Sequence, residues 1–269
     1  EALALAKSLK LPVEWVAVSS GARIDWDTGT ENLDWTARVL AEITRFTQEG
    51  GEINIVVPGL CVGAQAYWNA EATMMMHTRG LLVMTDRGSM VLTGKRALDF
   101  SGCVSAEDDL ALGGYTTIMG PNGQAQAWAA DLMGAYRLLH RYYALTHVPA
   151  GARRPARFPT QDADDRDIGA WPYPAELGHG FETVGQIFSA EHNPDRKRPF
   201  ACPTIMAALM DSDVEPVERW GAMREAETAV VWEARIGGYA TTLIGIENRP
   251  VSRLGAKTSD GPEVLAGGT

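Results

Sequence analysis

The chain has 269 residues, 45% of them hydrophobic and 22% charged, and a formal net charge of −10. That length and apolar content can bury a sizeable core, as one large domain or as one domain plus part of another. The acidic balance excludes a broad electrostatic footprint for nucleic acid or for an anionic membrane, so an anionic ligand has to be met by a local cluster of donors.

Residues Val13 to Val18 form an apolar run after Pro12 and predict a buried strand that delivers Ser19 to the loop "SSGARIDWDTG". From Asn32 the period changes. Trp35, Val39, Ile43 and Phe46 recur at helical spacing, and Gly50-Gly51 ends the helix. "INIVV", Ile53 to Val57, is a second and fully apolar strand, so the order is strand, helix, strand, the unit of a parallel sheet. After Pro58-Gly59, Gly63 to Trp68 predicts a short helix, with strands at Met74–Met76 and Leu81–Met84. The methionines there are core filler in preference to a cofactor box. Gln124 to Leu145 is helical again, with Trp128, Leu132, Tyr136 and Leu139 on one face.

Between His147 and Phe181 the composition shifts to prolines, "ARRPAR" and "DADDRD", which predicts a linker or an ordered crossing loop at a domain boundary. Beyond it Pro203–Met210 and Val217–Ala226 read as helices, and "VVWEARIGGYATTLIGI" as two strands joined by Gly237-Gly238. No apolar run approaches the roughly 18–20 residues of a membrane span. "EALALAKSLKLP" lacks a secretory core and cleavage site. Cys61, Cys103 and Cys202 form no CxxC pair, which leaves neither a disulfide framework nor a zinc ribbon and fits a reducing, cytoplasmic setting. The first residue is not Met and the last, "VLAGGT", has no stop-like character, as expected of a segment of something larger.

Nucleophile schemes fit poorly. Ser19 and Ser20 precede Gly21, but there is no GxSxG elbow, and none of His77, His140, His147, His179 and His192 is spaced as a base. Asp25, Asp27 and Glu31 are explained by the solvated first turn of the next helix. What remains are glycines at strand ends: Gly21, Gly59 and Gly63, Gly113-Gly114, and "MGPNGQ". Taken together they point to a site made of backbone N–H groups, suited to a reaction that develops a negative oxygen without a side-chain nucleophile.

These segments resemble a known family. "SSGARI" is similar to the GGARI loop, "GLCVGAQAYWNAEATMMM" to the GPCAGGAVYSPA segment, "MVLTGKRAL" to MFLTGP, and "GGYTTIMGPNGQAQAWAAD" to LGG…SG…H of biotin-dependent carboxyltransferases. The "WNAEAT", "GPNGQAQ" and "AETAVVWEARIGG" stretches are similar to the actinobacterial single-chain acyl-CoA carboxylases. The resemblance covers nearly the whole chain. It implies an α/β, crotonase-like (ClpP/crotonase superfamily) spiral of ββα units with the start of a second similar domain. Residues 1–146 would be the N-terminal carboxyltransferase domain lacking its first strands, 147–180 a linker or crossing segment, and 181–269 the truncated beginning of the C-terminal domain. The implied reaction moves carboxyl from carboxybiotin to the α-carbon of an acyl-CoA through an enolate.

By motif position the resemblance makes Gly63 and Ala64 the oxyanion donors, at the start of a helix whose dipole adds to the field. It makes Gly21, Ala22, Arg23 and Ile24 a wall of the CoA site, with Arg23 either near phosphate or fixing the loop, and it makes Gly113, Gly114 and Tyr115 the lining of the acyl pocket. Lys95 and Arg96 read as a solvated helix end ahead of a phosphate contact. The family's first GGARI glycine is Ser20 here, and the second of its AGG triplet is Ala64; neither change removes a backbone N–H. No protein metal site is implied. Biotin would arrive on a carrier domain outside this segment, ATP and Mg would serve the biotin carboxylase part, and those two domains would be the partners of a homo-oligomer, with the family's other oxyanion pair beyond Thr269. Two other classes stay open at this level: an enoyl-CoA hydratase-like enzyme, which needs a pair of acidic catalysts, and a non-catalytic assembly module.

Overall fold

Every residue is described by the computed structural model except 22–24, 28, 74–78, 103, 104, 150, 256–262, 268 and 269. The strand expected at Met74–Met76 and the candidate residues Ala22, Arg23 and Ile24 lie outside the described residues. Two compact units divide the chain, Glu1–Leu139 and His140–Thr269.

In the first unit, helix α1 (Ala2–Leu9) precedes strand β1 (Val13–Val16), and helix α2 (Thr30–Gln48) follows. Then come β2 (Ile53–Val57), β3 (Leu60–Val62) and α3 (Ala64–Ala72). Next are β4 (Leu82–Thr85), β5 (Ser89–Val91) and α4 (Lys95–Phe100). Helix α5 (Asp109–Gly113), a π-helix (Tyr115–Met119) and β6 (Ala127–Ala129) complete the series, and α6 (Leu132–Thr146) contains the boundary between the units.

Strands β1, β2, β4 and β6 form one parallel sheet in the order β1-β2-β4-β6. Ile53 lies opposite Val13, Leu82 opposite Ile55, and Ala127 opposite Val83. Strands β3 and β5 pair in parallel as a second, smaller sheet, to which Ser19 adds a rung opposite Cys61. Each repeat therefore runs strand, short rung in the small sheet, helix: β1, Ser19, α2; then β2, β3, α3; then β4, β5, α4. This is the ββα spiral.

Burial follows from place in the sheet. Central β2 has neighbours on both edges and all five of its residues are buried. Outermost β1 alternates, with Val13 and Trp15 half-buried and Glu14 and Val16 exposed. It stops at Val16, two residues short of the expected run, and Val18 is 64% exposed. Of the helical stripe in α2, Ile43 and Phe46 are buried in one cluster with Ile55, Leu82 and Met84, and Val39 packs against it. Full burial of one such side chain contributes about 1.5–3 kcal/mol. Trp35, at the helix's other end, stays mostly exposed.

Two expected helices are corrected. Residues 124–145 are not one helix. Ala127–Ala129 pairs with β4 as β6, and only from Leu132 does the chain coil. Trp128 sits on that strand and donates its indole N–H to Asp86 at 2.9 Å. Likewise Val217–Arg219 is a strand, β7, and not the start of a helix, since it pairs antiparallel with β8 (Ala229–Ile236). The left-handed backbone of Trp220 (φ 61) and Glu225 (φ 63) breaks any helix there.

The second unit holds short 3-10 turns at Ile168–Ala170 and Ala175–Leu177, helices α7 (Val184–Phe188) and α8 (Cys202–Leu209), and the antiparallel sheet β7-β8-β9, with β9 at Tyr239–Ile246. A further pair joins β10 (Val251–Ser252) to β11 (Val264–Leu265). The Gly237-Gly238 hairpin is present, with Ile236 opposite Tyr239. Both oxygens of buried Asp211 accept from its turn, Gly237 N–H at 2.6 Å and Gly238 N–H at 2.8 Å. The Pro-rich segment is ordered against this sheet: Phe158 N–H donates to Gly238 O at 2.8 Å, and Arg157 Nε to Gly237 O at 2.9 Å. Tyr173, Phe181, Ile187 and Ala201 form the unit's local core.

Candidate functional site

Three strand ends of the first unit converge on the N-terminus of α3. Ser19 N–H donates to Leu60 O at 2.9 Å, and Val62 N–H returns a bond to Ser19 O at 3.0 Å, which lays the loop after β1 along β3. The Ser19 hydroxyl accepts Gly21 N–H at 3.1 Å, so it shapes a turn and is not presented as a nucleophile. Gly63 caps α3 with φ 72 and ψ −131. A Cβ there would lie 3.9 Å from the Gly21 Cα, so the two glycines are neighbours.

The geometry sharpens which N–H groups are available. The Gly63 N–H donates to Val91 O at 2.9 Å, which ties α3 to the end of β5 and removes Gly63 as a free donor. This corrects its expected role: Gly63 orients the helix start, and it does so in a backbone region that side-chain-bearing residues rarely enter. Ala64 and Gln65 supply the next two N–H groups, the unpaired first-turn donors of a nine-residue helix. Among the described residues neither has an acceptor. Sequence reasoning named Ala64 and missed Gln65; the helix start one residue beyond Gly63 was the signal that could have found it.

A buried polar set holds this helix start. Gln65 Nε2 donates to Asn69 Oδ1 at 2.7 Å one turn on, which folds the Gln65 side chain back along α3 and away from its N-terminus. Asn69 is fully buried, and among the described residues its Nδ2 has no hydrogen-bond partner. Cys61, also fully buried, donates its thiol to Ala17 O at 3.0 Å. Burial pushes the Cys61 thiol up to about 11, against smaller lowering contributions from the Asn69 side chain and the Ser19 backbone. It is a neutral packing group and not a nucleophile. Gln126, in "GPNGQAQ", is a second missed residue: its Oε1 accepts Leu82 N–H at 2.6 Å and its Nε2 donates to Thr73 O at 3.0 Å, locking the end of α3 to β4.

Beside α3 opens a hollow of about 240 Å³. Ala66 and Ala70 of α3, Met90 of β5, Leu92 and Met119 make its apolar wall, with Asn122 and Gln124 toward the following turn and Tyr67 also lining it. Gly113, Gly114 and Tyr115 do not line this hollow. A Cβ on Gly113 would lie 2.2 Å from Met90 O, so its missing side chain lets α5 lie directly on β5. Gly114 O accepts from Ile118 N–H at 3.1 Å and Met119 N–H at 3.0 Å, which starts the π-helix, and Tyr115 packs on the core. Lys95 is engaged twice, its ammonium on Asp99 of its own helix at 2.7 Å and its backbone N–H on Asp109 of α5 at 2.7 Å, while Arg96 is exposed. Asp25 and Asp27 are exposed as well. Among the described residues no carboxylate lines the hollow.

In the second unit the Tyr173 hydroxyl meets His179 Nδ1 at 2.5 Å and accepts Ala201 N–H at 2.7 Å. Burial raises the Tyr173 pKa, and burial followed by the Arg249 charge lowers that of His179. Glu247, buried and paired with Arg249, accepts Cys202 N–H at 2.8 Å. These bonds tie the crossing segment and the residue after β9 to the start of α8.

The spiral of parallel ββα repeats around backbone donors at a helix start is the crotonase-like fold. Within it the carboxyl transferase domain family matches residues 1–268, and the chain belongs to that family. Among solved structures, the chain is similar to transcarboxylase 12S with hydrolysed methylmalonyl-coenzyme A bound: TM-score 0.67, 18% identity, 91% of this chain and 41% of that one. The same hexamer core with methylmalonyl-coenzyme A and methylmalonic acid bound gives 0.68 at 17% identity over 91% and 42%. A single-chain, multi-domain long-chain acyl-CoA carboxylase gives 0.62 at 18% identity over 92% and 20%. The chain thus spans less than half the length of each. No curated protein matches it.

Proposed function

We propose that this chain is the carboxyltransferase part of a biotin-dependent acyl-CoA carboxylase, moving a carboxyl group to the α-carbon of an acyl-CoA. The pair of unpartnered N–H groups at Ala64 and Gln65 carries the reading, together with membership of the carboxyl transferase domain family. Removing an α-proton from a thioester places negative charge on its carbonyl oxygen. Two fixed donors at the positive end of α3 stabilise that oxygen without reorganising, and loss of one such donor costs roughly 2.7–4 kcal/mol of barrier.

When bound, carboxybiotin on a carrier domain would supply the carboxyl group by breaking its N–carboxylate bond, and the ureido nitrogen so freed would take the α-proton. The first unit's own residues bind and orient the thioester: Ala64 and Gln65 hold the oxygen, the Gly63 N–H on Val91 O sets their direction, and Gln65–Asn69 keeps a side chain from occupying the donors. Gly21 and the loop through Ala22, Arg23 and Ile24 form the CoA wall in this reading, with Gly113, Gly114 and Tyr115 backing the acyl side. Residues 1–146 are then the N-terminal domain, 147–180 the crossing segment, and 181–269 the opening of the C-terminal domain. Biotin carboxylase, using ATP and Mg, and the biotin carrier are the partners of a cytoplasmic homo-oligomer. A hydratase would need a pair of acidic catalysts beside these donors, and among the described residues no carboxylate lines the hollow beside α3. No helix of the described residues is long and apolar enough to cross a membrane.

The test is fixation of labelled bicarbonate by the intact protein with ATP, Mg, biotinylated carrier and a panel of acyl-CoAs. Acid-stable label on the acyl-CoA is expected. Absence of fixation with every acyl-CoA, or turnover of an enoyl-CoA without biotin, overturns the reading.

A further inference from the structure

We propose that Asn69 is a positioning residue for the reaction: its buried side-chain amide, bonded to the Gln65 amide one turn back, holds the uncapped start of α3 so that the Ala64 and Gln65 N–H groups keep their direction while staying free. This rests on the carboxyltransferase reading above. The first N–H groups of a helix are ordinarily met by a Ser, Thr, Asp or Asn side chain at the cap, and that bond steadies the first turn. Gly63 has no side chain to offer, and α3 has no cap bond of this kind. A capping oxygen would also occupy the donors that an enolate oxygen needs. A first turn without a cap frays unless another contact holds it.

Gln65 and Asn69 supply that contact from inside the protein. Four residues apart, they share one face of α3, and Gln65 Nε2 donates to Asn69 Oδ1 at 2.7 Å. This bond runs alongside the helical bond from Asn69 N–H to Gln65 O and spends side-chain groups only. Both side chains are buried, Asn69 completely. Asn69 is itself fastened. Its carbonyl accepts the Thr73 hydroxyl at 2.8 Å, and Thr73 O accepts Gln126 Nε2 at 3.0 Å. On its other side the amide lies beside the Cys61 thiol of β3, the strand that pairs with β5, and the Val91 carbonyl of β5 takes the Gly63 N–H. The donors are thus held from two directions, at Gly63 by the small sheet and at Gln65 by a residue packed on that sheet.

Keeping an amide here costs stability. Among the described residues Asn69 Nδ2 has no hydrogen-bond partner, in a core that also buries Cys61, Ala66 and Ala72. An amide proton buried unpaired is unfavourable against an apolar side chain of similar size, and leucine is such a side chain. Departures of this kind from apolar packing concentrate at functional sites, and the function within reach of Asn69 is the aim of the helix start.

The experiment compares Asn69→Leu, Gln65→Met and the double variant in the intact protein, by bicarbonate fixation on an acyl-CoA and by thermal melt. Both changes keep the side chain's approximate size, and Gln65→Met keeps the Gln65 backbone N–H. Either single change should lower kcat roughly 10- to 100-fold, the effect of a reacting group displaced by up to about 1 Å. KM for the acyl-CoA should stay within about twofold, as for an interaction that matters only in the transition state. Each single change leaves one amide buried and unpaired, so Tm falls. The double variant leaves neither, and its Tm should return toward that of the unchanged protein, because exchanging both partners for apolar groups of the same shape is nearly neutral. Its kcat should stay low. A kcat that recovers with Tm in the double variant makes the pair a packing feature and overturns the proposal. So does unchanged kcat in Gln65→Met, or a loss that falls on KM alone. If Asn69→Leu does not fold, Gln65→Met and the double variant carry the test. Absence of fixation by the unchanged protein with every acyl-CoA overturns the functional reading and this proposal with it, whereas the preceding outcomes overturn this proposal alone.

Discussion

Gly63 offers a test in which two costs can be weighed against each other. Its φ of 72 and ψ of −131 fall where side-chain-bearing residues rarely go, while among the described residues an added Cβ would meet the Gly21 Cα alone, at 3.9 Å. The burden of Gly63→Ala is therefore torsional, about 1–3 kcal/mol if the backbone holds its place. Escape from that strain requires the Gly63 N–H to leave Val91 O, a half-buried bond whose net loss is about 0.5–1.5 kcal/mol. Relaxation is the smaller loss, so the start of α3 should turn and carry the Ala64 N–H off its aim. The expected result is a stability loss of about 1 kcal/mol by urea unfolding. It should come with a fall in kcat of about 100-fold, the effect of one misplaced oxyanion donor. Ala64→Gly, which keeps the N–H, serves as the control. Wild-type stability together with wild-type kcat in Gly63→Ala would refute the view that this cap aims the donors. A stability loss alone would show that the backbone held and the donors kept their direction.

Gly113→Ala places a Cβ 2.2 Å from Met90 O, a backbone atom that cannot move aside, and should lower stability by about 1–3 kcal/mol in a thermal melt. A change in KM for acyl-CoA with stability intact would instead restore Gly113 to the pocket lining. Gln126→Leu leaves Leu82 N–H and Thr73 C=O buried without partners and should cost about 2–5 kcal/mol by urea unfolding; a loss below 1 kcal/mol would mean that water or a neighbour replaces both bonds. The Cys61 thiol, raised from an ordinary 9.0 to about 11, stays neutral in the folded protein while the unfolded chain ionises. Its contribution is therefore complete below pH 9.0 and is lost as pH rises toward about 11. Folded protein should resist thiol alkylation at Cys61 at pH 8, and Cys61→Ala should flatten the alkaline loss of stability. Rapid alkylation of Cys61 in the native state would contradict its burial.

Short-range patterns carried the elements whose partners are near in the chain. Val39, Ile43 and Phe46 marked α2 because a helix is defined by its own period, and "INIVV" marked a strand buried on both faces. Gly237-Gly238 announced the hairpin, since that turn is set by its two central residues. Strands β6 and β7 were illegible for the opposite reason. Each is three residues long, and each exists through pairing with a strand elsewhere, β4 for Ala127–Ala129 and β8 for Val217–Arg219. Local propensity is a weak prior against such pairing.

The candidate site divides in the same way. The glycines at strand ends and the motif around them pointed to the start of α3, with Gly63 and Ala64 as the expected donors. Which N–H groups are bare was decided only in three dimensions. The Val91 carbonyl, brought in by the parallel pairing of β3 with β5, takes the Gly63 N–H and leaves those of Ala64 and Gln65. Gly113-Gly114 likewise read as a lining and proved to be a close approach of α5 to β5. Sequence alone determined the periods, the turns and the family, because these depend on neighbours within a few residues or on motif spacing. The tertiary structure determined donor availability and the shape of the hollow beside α3, because a hydrogen bond has one partner and a cavity has walls from several distant segments.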